Sequence, residues 1–241
     1  QSKKVKVGPS ESMSKSKKNT IDPQKIIENY GADSARLFIL SDSPPEKDIQ
    51  WSDEGINSSY KFLQKLWKLN SIIMDQISMD HKKDTSEEFS KFTNQFIKKM
   101  TDSLNSFSYN VLIANLHEMH NYLSKEIING YSQETIKKNY SKILTTMLPI
   151  IPHFALECKE LNNFEKSEGW PNYDESMAIE SDVNYVIQIN GKKRLIFKNT
   201  RDQTEDKLLI AAKKDKNLNK YLENKIIKKT IFLKNRLLNI I

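Results

Sequence analysis

Thr85-Ser86-Glu87-Glu88-Phe89-Ser90-Lys91-Phe92-Thr93-Asn94-Gln95-Phe96-Ile97-Lys98-Lys99-Met100-Thr101-Asp102-Ser103-Leu104 is the stretch that settles the architecture. Thr85-x-x-Glu88 has the form of a capping box, in which a hydroxyl and a carboxylate satisfy two orphan N–H groups at a helix start. Behind it Phe89, Phe92, Phe96, Met100 and Leu104 recur at the helical period and make one apolar stripe. A row of phenylalanines could be imagined as a base-stacking platform. The spacing is that of a single buried face, so core packing is the expectation.

The same periodicity runs outward in both directions. Ser52 is placed to cap a long helix with Ile56, Tyr60, Leu63, Trp67 and Ile73 on one face. On the other side Tyr109, Leu112, Leu116, Met119, Leu123 and Ile127 line a third helix. Ser132 opens a fourth through Ile136, Tyr140, Ile143, Leu144 and Met147, and Pro149-x-x-Pro152 turns it into a fifth. Short connections imply antiparallel neighbours, so residues 47–165 read as an up-and-down helical bundle. His117 and His120 lie three apart on one helix, but no cysteine or second pair accompanies them, and no metal site is assigned. The single cysteine, Cys158, excludes an internal disulfide framework and reads as a small core residue. The most apolar run, residues 147–156, is broken by Pro149, Pro152 and His153, short of the roughly 18 residues a membrane helix needs. Gln1-Ser2-Lys3-Lys4 has no apolar region behind its charges, so no secretory signal is visible.

Toward the N-terminus, Lys4-Val5-Lys6-Val7 alternates and is closed by Gly8-Pro9, which predicts a short strand end. Asp22 as N-cap, Pro23 as first helical residue and Gly31 as terminator predict a helix over 23–30 with Ile26, Ile27 and Tyr30 as its buried face. Asp33 is expected to cap a second helix through Ala35, Leu37, Phe38 and Leu40, stopped by Pro44-Pro45, with Arg36 more a structural ion-pair residue than a phosphate ligand. Trp51 is expected to anchor packing at the entry to the bundle. Between strand and helix lies Ser12-Met13-Ser14-Lys15-Ser16-Lys17-Lys18-Asn19. Small hydroxyl residues permit close backbone approach, and alternating ammonium groups supply mobile point charges suited to phosphate. The glycine framework of a GxxxxGK[ST] cradle is missing, so this is a polyphosphate clamp of another kind or a solvated lysine loop.

Toward the C-terminus, residues 166–182 are polar and irregular around Trp170-Pro171 and read as a linker. Residues 185–189 and 195–197 flank Asn190-Gly191, a strong hairpin signal because both centres of a type I′ turn need positive φ. Asp202-x-x-Glu205 is expected to cap a helix through Leu208, Leu209 and Ala212. Leu218, Tyr221 and Leu222 follow on a shorter helix, and Ile227, Thr230, Phe232 and residues 237–241 read as closing strands. The tail, residues 183–241, is thus a small α+β domain with little core of its own. It holds 15 Lys and Arg against 5 Asp and Glu, whereas residues 1–182 hold 23 against 26. The chain's +7 charge therefore resides in the tail, where it suits an anionic partner.

Several of these segments carry a family resemblance. Met13-Ser14-Lys15-Ser16, continued by Lys17-Lys18-Asn19-Thr20-Ile21-Asp22-Pro23, resembles the KMSKS loop of class I aminoacyl-tRNA synthetases, and its Lys-Lys-Asn continuation resembles the leucyl-tRNA synthetases. Ser12 stands where the motif has its first lysine. Tyr30-Gly31-Ala32-Asp33-Ser34-Ala35-Arg36-Leu37-Phe38 is similar to an element that follows the loop in that family, and Ser43-Pro44-Pro45-Glu46-Lys47-Asp48-Ile49-Gln50-Trp51-Ser52 to its connection into the helical domain. Pro149-x-x-Pro152-His153, Trp170-Pro171, Asn190-Gly191-Lys192 and the closing basic strands are similar to the family in the same order.

The resemblance implies a mainly α architecture. It comprises the tail end of a Rossmann-type catalytic domain over residues 1–46, an anticodon-binding-type bundle over 47–165 and a tRNA-binding α+β domain over 183–241. It implies a cytoplasmic, monomeric enzyme that uses ATP and Mg²⁺ to convert leucine to leucyl-adenylate and passes the leucyl group to the 3′ end of tRNA(Leu). Lys15 would be the catalytic cation, with Met13, Ser14 and Ser16 shaping the ATP loop; Lys192, Lys193, Arg194, Lys228, Lys229, Lys234 and Arg236 would contact tRNA. The chain begins without methionine and contains no HIGH-type motif, so it reads as the C-terminal portion of the enzyme, inactive alone. A sibling synthetase for isoleucine, valine or methionine, or a noncatalytic tRNA-binding module, would share parts of the pattern.

Overall fold

Asp22, Ser52 and Ser132 start their helices as their side chains predict. Asp22 accepts the N–H of Gln24, Ser52 that of Gly55 and Ser132 that of Thr135. The computed structural model describes residues 8–9, 11–42, 46–79, 86–165, 169–179, 182–222 and 227–241. The strand expected at 4–7, the Pro44-Pro45 stop and the Thr85 cap lie outside the described residues. The chain divides into two units at residues 178 and 179.

In the first unit α1 (Pro23–Tyr30) and α2 (Ala32–Asp42) precede α3 (Asp53–Ser78), α4 (Ser86–Asn105), α5 (Tyr109–Glu126), α6 (Gln133–Met147), α7 (Pro152–Leu161) and a short α8 (Glu175–Ala178). A 3-10 turn, Ile127–Asn129, extends α5. Helices α3 to α6 make the bundle, with α4 against α5 and α6, and α3 against α5, α6 and α7. Phe89, Phe96 and Met100 of α4 meet Leu112, Leu116, Met119 and Leu123 of α5 and Ile136, Tyr140, Ile143, Leu144 and Met147 of α6 in one buried cluster. The α4 aromatic row is core, as its spacing predicts: Phe92 stacks on Tyr122 at 3.7 Å between centroids. None of these helices is long and apolar enough to cross a membrane among the described residues.

Two helical faces and one cap differ from expectation. Helix α1 buries none of its residues; Ile27 is 50% exposed, and Tyr30 only meets Tyr60 edge-on at 5.8 Å. Helix α3 buries Ile56 and Ile73 as expected, but between them it turns Phe62, Leu66 and Leu69 inward rather than Tyr60 and Trp67, with Leu63 partly buried against the core. Both sets have helical spacing, and the second lines a cleft described below. Asp33 does not cap α2. It lies within the helix, buried, and its carboxylate accepts the Phe154 N–H at 2.7 Å and contacts His153 Nδ1 at 2.9 Å, which caps α7 from 121 residues away. One turn along, Arg36 donates to the carbonyls of Ile150 at 2.7 Å and Pro149 at 2.6 Å. The guanidinium is therefore committed to backbone, the structural alternative to a phosphate.

Several polar groups buried in the bundle are paired, while Ser34 Oγ and Gln76 Oε1 are buried without a partner among the described residues. Asn70 Oδ1 accepts from the Tyr140 hydroxyl at 3.0 Å and from Asn162 at 3.1 Å, and the fully buried Lys159 donates to Thr145 at 2.8 Å. Burial pushes the Tyr140 hydroxyl and the Cys158 thiol upward, so Cys158 behaves as the inert core residue its isolation suggested. Trp51 joins the entry segment to α2, meeting Phe38 edge-on at 5.2 Å. Residues 169–178 lie along α4: Trp170 Nε1 donates to Thr101 at 2.9 Å, Asn94 accepts from Asp174 N at 2.7 Å, and Ala178 is buried.

In the second unit β1 (Asp182–Ile189) and β2 (Lys192–Thr200) form the expected hairpin, with φ +51° at Asn190 and +74° at Gly191. Helices α9 (Glu205–Lys214) and α10 (Lys216–Leu222) follow, then β3 (Thr230–Leu233) and β4 (Leu237–Ile240). The strand order is β2-β1-β4-β3, with β1 and β4 parallel and the other pairs antiparallel. Tyr185, Ile187, Ile189, Leu238 and Ile240 pack under Leu208, Ala212 and Leu218. The cap of α9 is Thr204, which accepts the Lys207 N–H; Asp202 sits ahead of it at φ +62° and is engaged elsewhere.

Two substitutions test the packing of the first unit. Asp33→Ala would leave the Phe154 N–H buried without its acceptor and should lower unfolding free energy by about 1–3 kcal/mol in denaturant titration. Gly55 lies against Phe38 so closely that an added Cβ would be 2.5 Å from the ring. Gly55→Ala should therefore cost about 1–3 kcal/mol by overpacking, and an unchanged denaturation midpoint would show that α2 can move away.

Candidate functional site

Residues 12–19 form a closed loop. The Asn19 side chain accepts the Ser14 N–H at 2.9 Å and donates to the Ser12 carbonyl at 3.3 Å, so one amide ties the end of the loop back to its start. Within it Lys18 N donates to the Lys15 carbonyl at 3.2 Å, with Lys18 in the left-handed region at φ +53°. Ser14 Oγ accepts from Lys17 N at 3.3 Å and pairs with Ser16 Oγ at 3.2 Å. The hydroxyls thus shape the loop, as expected of Ser14 and Ser16, while Met13 is largely exposed beside them. The lysines differ in their engagement. Lys17 Nζ pairs with Glu11 at 3.1 Å, whereas among the described residues no hydrogen bond or ion pair engages the Lys15 or Lys18 ammonium. At the turn, Lys15 is available to meet a ligand.

On the same unit Tyr60, Leu63 and Trp67 line an open cleft of about 570 Å³ with Gly31, His153 and Phe154. His117 and His120 share one aromatic neighbour: His117 stacks on Phe62 at 3.7 Å and His120 meets the same ring edge-on. Burial, then the neighbouring His120, lowers the His117 pKa. Among the described residues no group of three metal-ligating side chains occurs.

The second unit separates the basic residues into two groups. The hairpin end of the sheet carries Lys192 and Lys193. Because β3 begins opposite Ile240, which pairs with Ile189, Lys228 and Lys229 come to this same end. Their N–H groups donate to the Ile241 carbonyl at 2.7 and 3.2 Å, and their side chains are exposed. Lys234 and Arg236 lie at the opposite end, in the β3–β4 turn. There Lys234 is held by Asp202 at 2.9 Å, and bonds from Lys234 and then Asn235 keep the Asp202 pKa below the ordinary carboxylate value. Asn235 also accepts from the buried Tyr185 hydroxyl at 2.9 Å, so this corner is a structural knot. Arg194 belongs to neither group. A bulge opposite Ile187 and Gln188 makes it the extra residue of β2, and its guanidinium lies 4.3 Å over the Tyr221 ring.

Sequence reasoning missed the face of the sheet turned away from α9 and α10. Ile196, Val186, Leu237 and Leu233 stand opposite one another across all four strands and make an apolar row. Ile196 is 50% exposed and Leu233 46%. Two residues along, Lys193, Gln188, Asn239 and Ile231 make a second row that is mostly polar. The signal was present in strand residues of the parity opposite to the core set, each unremarkable alone.

Comparison with known proteins gives these features a family. Residues 86–210 match the model of the anticodon-binding domain of tRNA ligase, and residues 6–52 match the model of class I tRNA synthetases (I, L, M and V). The leucine–tRNA ligase of Zymomonas mobilis is 34% identical over 99% of this chain and 28% of its own length. That of Prochlorococcus marinus is 35% identical over 96% of this chain and 27% of its own, and that of Fusobacterium nucleatum 33% over 96% and 29%. The chain thus spans a little over a quarter of the length of these relatives. A solved LeuRS from Agrobacterium radiobacter, in a ternary complex with tRNA and LeuAMS, superposes with a TM-score of 0.69 over 95% of this chain and 30% of that one, a likeness of fold at 22% identity. With the anticodon-binding model covering more than half of its residues, the chain belongs to the anticodon-binding family of tRNA ligases, and leucine–tRNA ligases align along nearly all of it.

Proposed function

We propose that this chain serves a cytoplasmic, monomeric leucine–tRNA ligase as the part that completes the ATP site and holds tRNA(Leu). The observation that carries the reading is the loop of residues 12–19, in which Lys17 is paired with Glu11 while the Lys15 ammonium is unengaged among the described residues. In the ligase reaction the leucine carboxylate attacks the α-phosphate of ATP and pyrophosphate departs. Negative charge on the phosphate oxygens is redistributed as that bond breaks, and an ammonium already in position stabilises it with little reorganisation. Lys15 is assigned that role, with Met13, Ser14 and Ser16 giving the loop the shape that lets backbone and ammonium approach the nucleotide. Glu11, the carboxylate described beside the loop, is paired with Lys17. The loop therefore does not supply a ligand set for Mg²⁺, and no step is assigned through the metal here.

Residues 1–46 are assigned to the catalytic domain, 47–165 to the bundle, 166–182 to a linker and 183–241 to the tRNA-binding tail. In the tail the reading favours Lys192, Lys193, Lys228 and Lys229, which share one end of the sheet, as a site for RNA phosphates. Arg194, stacked on Tyr221, and Lys234, paired with Asp202, are candidates of lower availability. Arg236 is exposed beside Lys234 and is the candidate at the other end.

In the whole enzyme, Lys15→Ala should slow leucine-dependent pyrophosphate exchange by about 2–4 kcal/mol of barrier, the scale of losing one preorganised charge. An undiminished exchange rate would remove Lys15 from this role. Changing Lys192, Lys193, Lys228 and Lys229 to Gln should weaken tRNA binding and flatten the slope of log K against log salt by up to about 0.9 for each phosphate no longer neutralised. Lys234→Gln should change that slope far less, and equal slopes for the two variants would argue against the hairpin end.

A further inference from the structure

Asn19 has no chemistry to offer a phosphate beyond that of any amide, yet its side chain is bonded to the loop backbone at two separate places. Its carbonyl takes the Ser14 N–H and its amino group reaches the Ser12 carbonyl, in the manner of a neighbouring β-strand. The consequence is topological. Residues 15–18 are enclosed between the Ser12–Ser14 segment and the Asn19 side chain bonded to it, and the Lys15–Lys18 turn lies at the far side of that enclosure. The alternative fastening is weak: Lys17 and Glu11 are 48% and 57% exposed, and an ion pair so exposed to water and salt holds little.

We infer that Asn19 is a positioning residue for the adenylation step, a clasp that keeps the loop closed so that Lys15 meets the nucleotide phosphates without first having to be ordered. The inference rests on the assignment of Lys15 above. Asn19 touches none of the reacting atoms; it acts through Lys15, and its removal is expressed as a misplaced ammonium. Small displacements of a positioned group cost rate on the order of tenfold to a hundredfold. Asn19→Asp keeps an acceptor for the Ser14 N–H but loses the donor to Ser12, so it retains half of the clasp.

The test is a double-mutant cycle in the whole enzyme, read by leucine-dependent pyrophosphate exchange. Asn19→Ala should lower kcat by about tenfold or more with the leucine KM unchanged, Asn19→Asp should fall between it and wild type, and Glu11→Gln should stay within about twofold of wild type. In a Lys15→Ala background, adding Asn19→Ala should change the rate by less than about twofold, because the group it positions is gone. Thermal melting and tRNA affinity should be the same for all of them. A Lys15→Ala enzyme with full exchange would overturn the assignment of Lys15 itself. If Lys15→Ala is slow and Asn19→Ala is not, the clasp is overturned while that assignment stands. It is equally overturned if Asn19→Ala slows exchange as much without Lys15 as with it. Should Asn19→Ala fail to fold, the same cycle run with Asn19→Asp gives the decision.

Discussion

The first unit depends on a carboxylate placed against the start of a helix that lies far away in sequence. Asp33 is buried, and burying an anion is costly unless it is paired or hydrogen-bonded. It recovers that cost from the Phe154 N–H and the His153 ring at the positive end of α7. Arg36, on the next turn of the same helix, takes the two carbonyls at 149 and 150 that the Pro149-x-x-Pro152 corner leaves without helical partners. One helix thus satisfies donors and acceptors on both sides of one corner. Proline makes the corner possible by ending α6 and starting α7, but the polar groups it frees need side chains from elsewhere, and α2 provides them.

That arrangement explains what could be read from the sequence and what could not. Caps such as Asp22, Ser52 and Ser132 act within four residues, so the local sequence contains the whole interaction. Asp33 looked like another such cap because it precedes an apolar run. Its partner is 121 residues on, a distance at which no periodicity speaks. Asp202 and Thr204 illustrate the same limit at short range. Both precede α9 at plausible spacing, and the choice falls to Thr204 because Asn235 and Lys234 occupy Asp202. On α3 the pattern was ambiguous in a different way: between Ile56 and Ile73, Tyr60, Leu63 and Trp67 have the period of a helix, and so do Phe62, Leu66 and Leu69. Only the neighbours decide which stripe is core.

The candidate site was legible as residue types and not as geometry. The loop's serines and lysines state their chemistry in the sequence; that Glu11 holds Lys17, and that Asn19 closes the loop, depends on backbone shape. In the tail the net charge was plain, but seven basic residues counted together resolve into four at one sheet end, two at the other and one held by an aromatic ring. The strand order β2-β1-β4-β3 makes that division. A simple meander would have carried the chain ends elsewhere and mixed the groups differently.

The parallel pairing of β1 with β4 also has a kinetic side. Val186 faces Leu237 and Ile189 faces Ile240, pairings between residues roughly fifty positions apart, with both tail helices and β3 between them. The hairpin of β1 and β2 can close early, since its turn is local. The middle of the sheet cannot form until β4 arrives, and β3 has no partner except β4. Arrival of β4 should accordingly be a late event in the folding of the second unit, and until then the inner edge of β1 is an open strand edge exposed to mispairing.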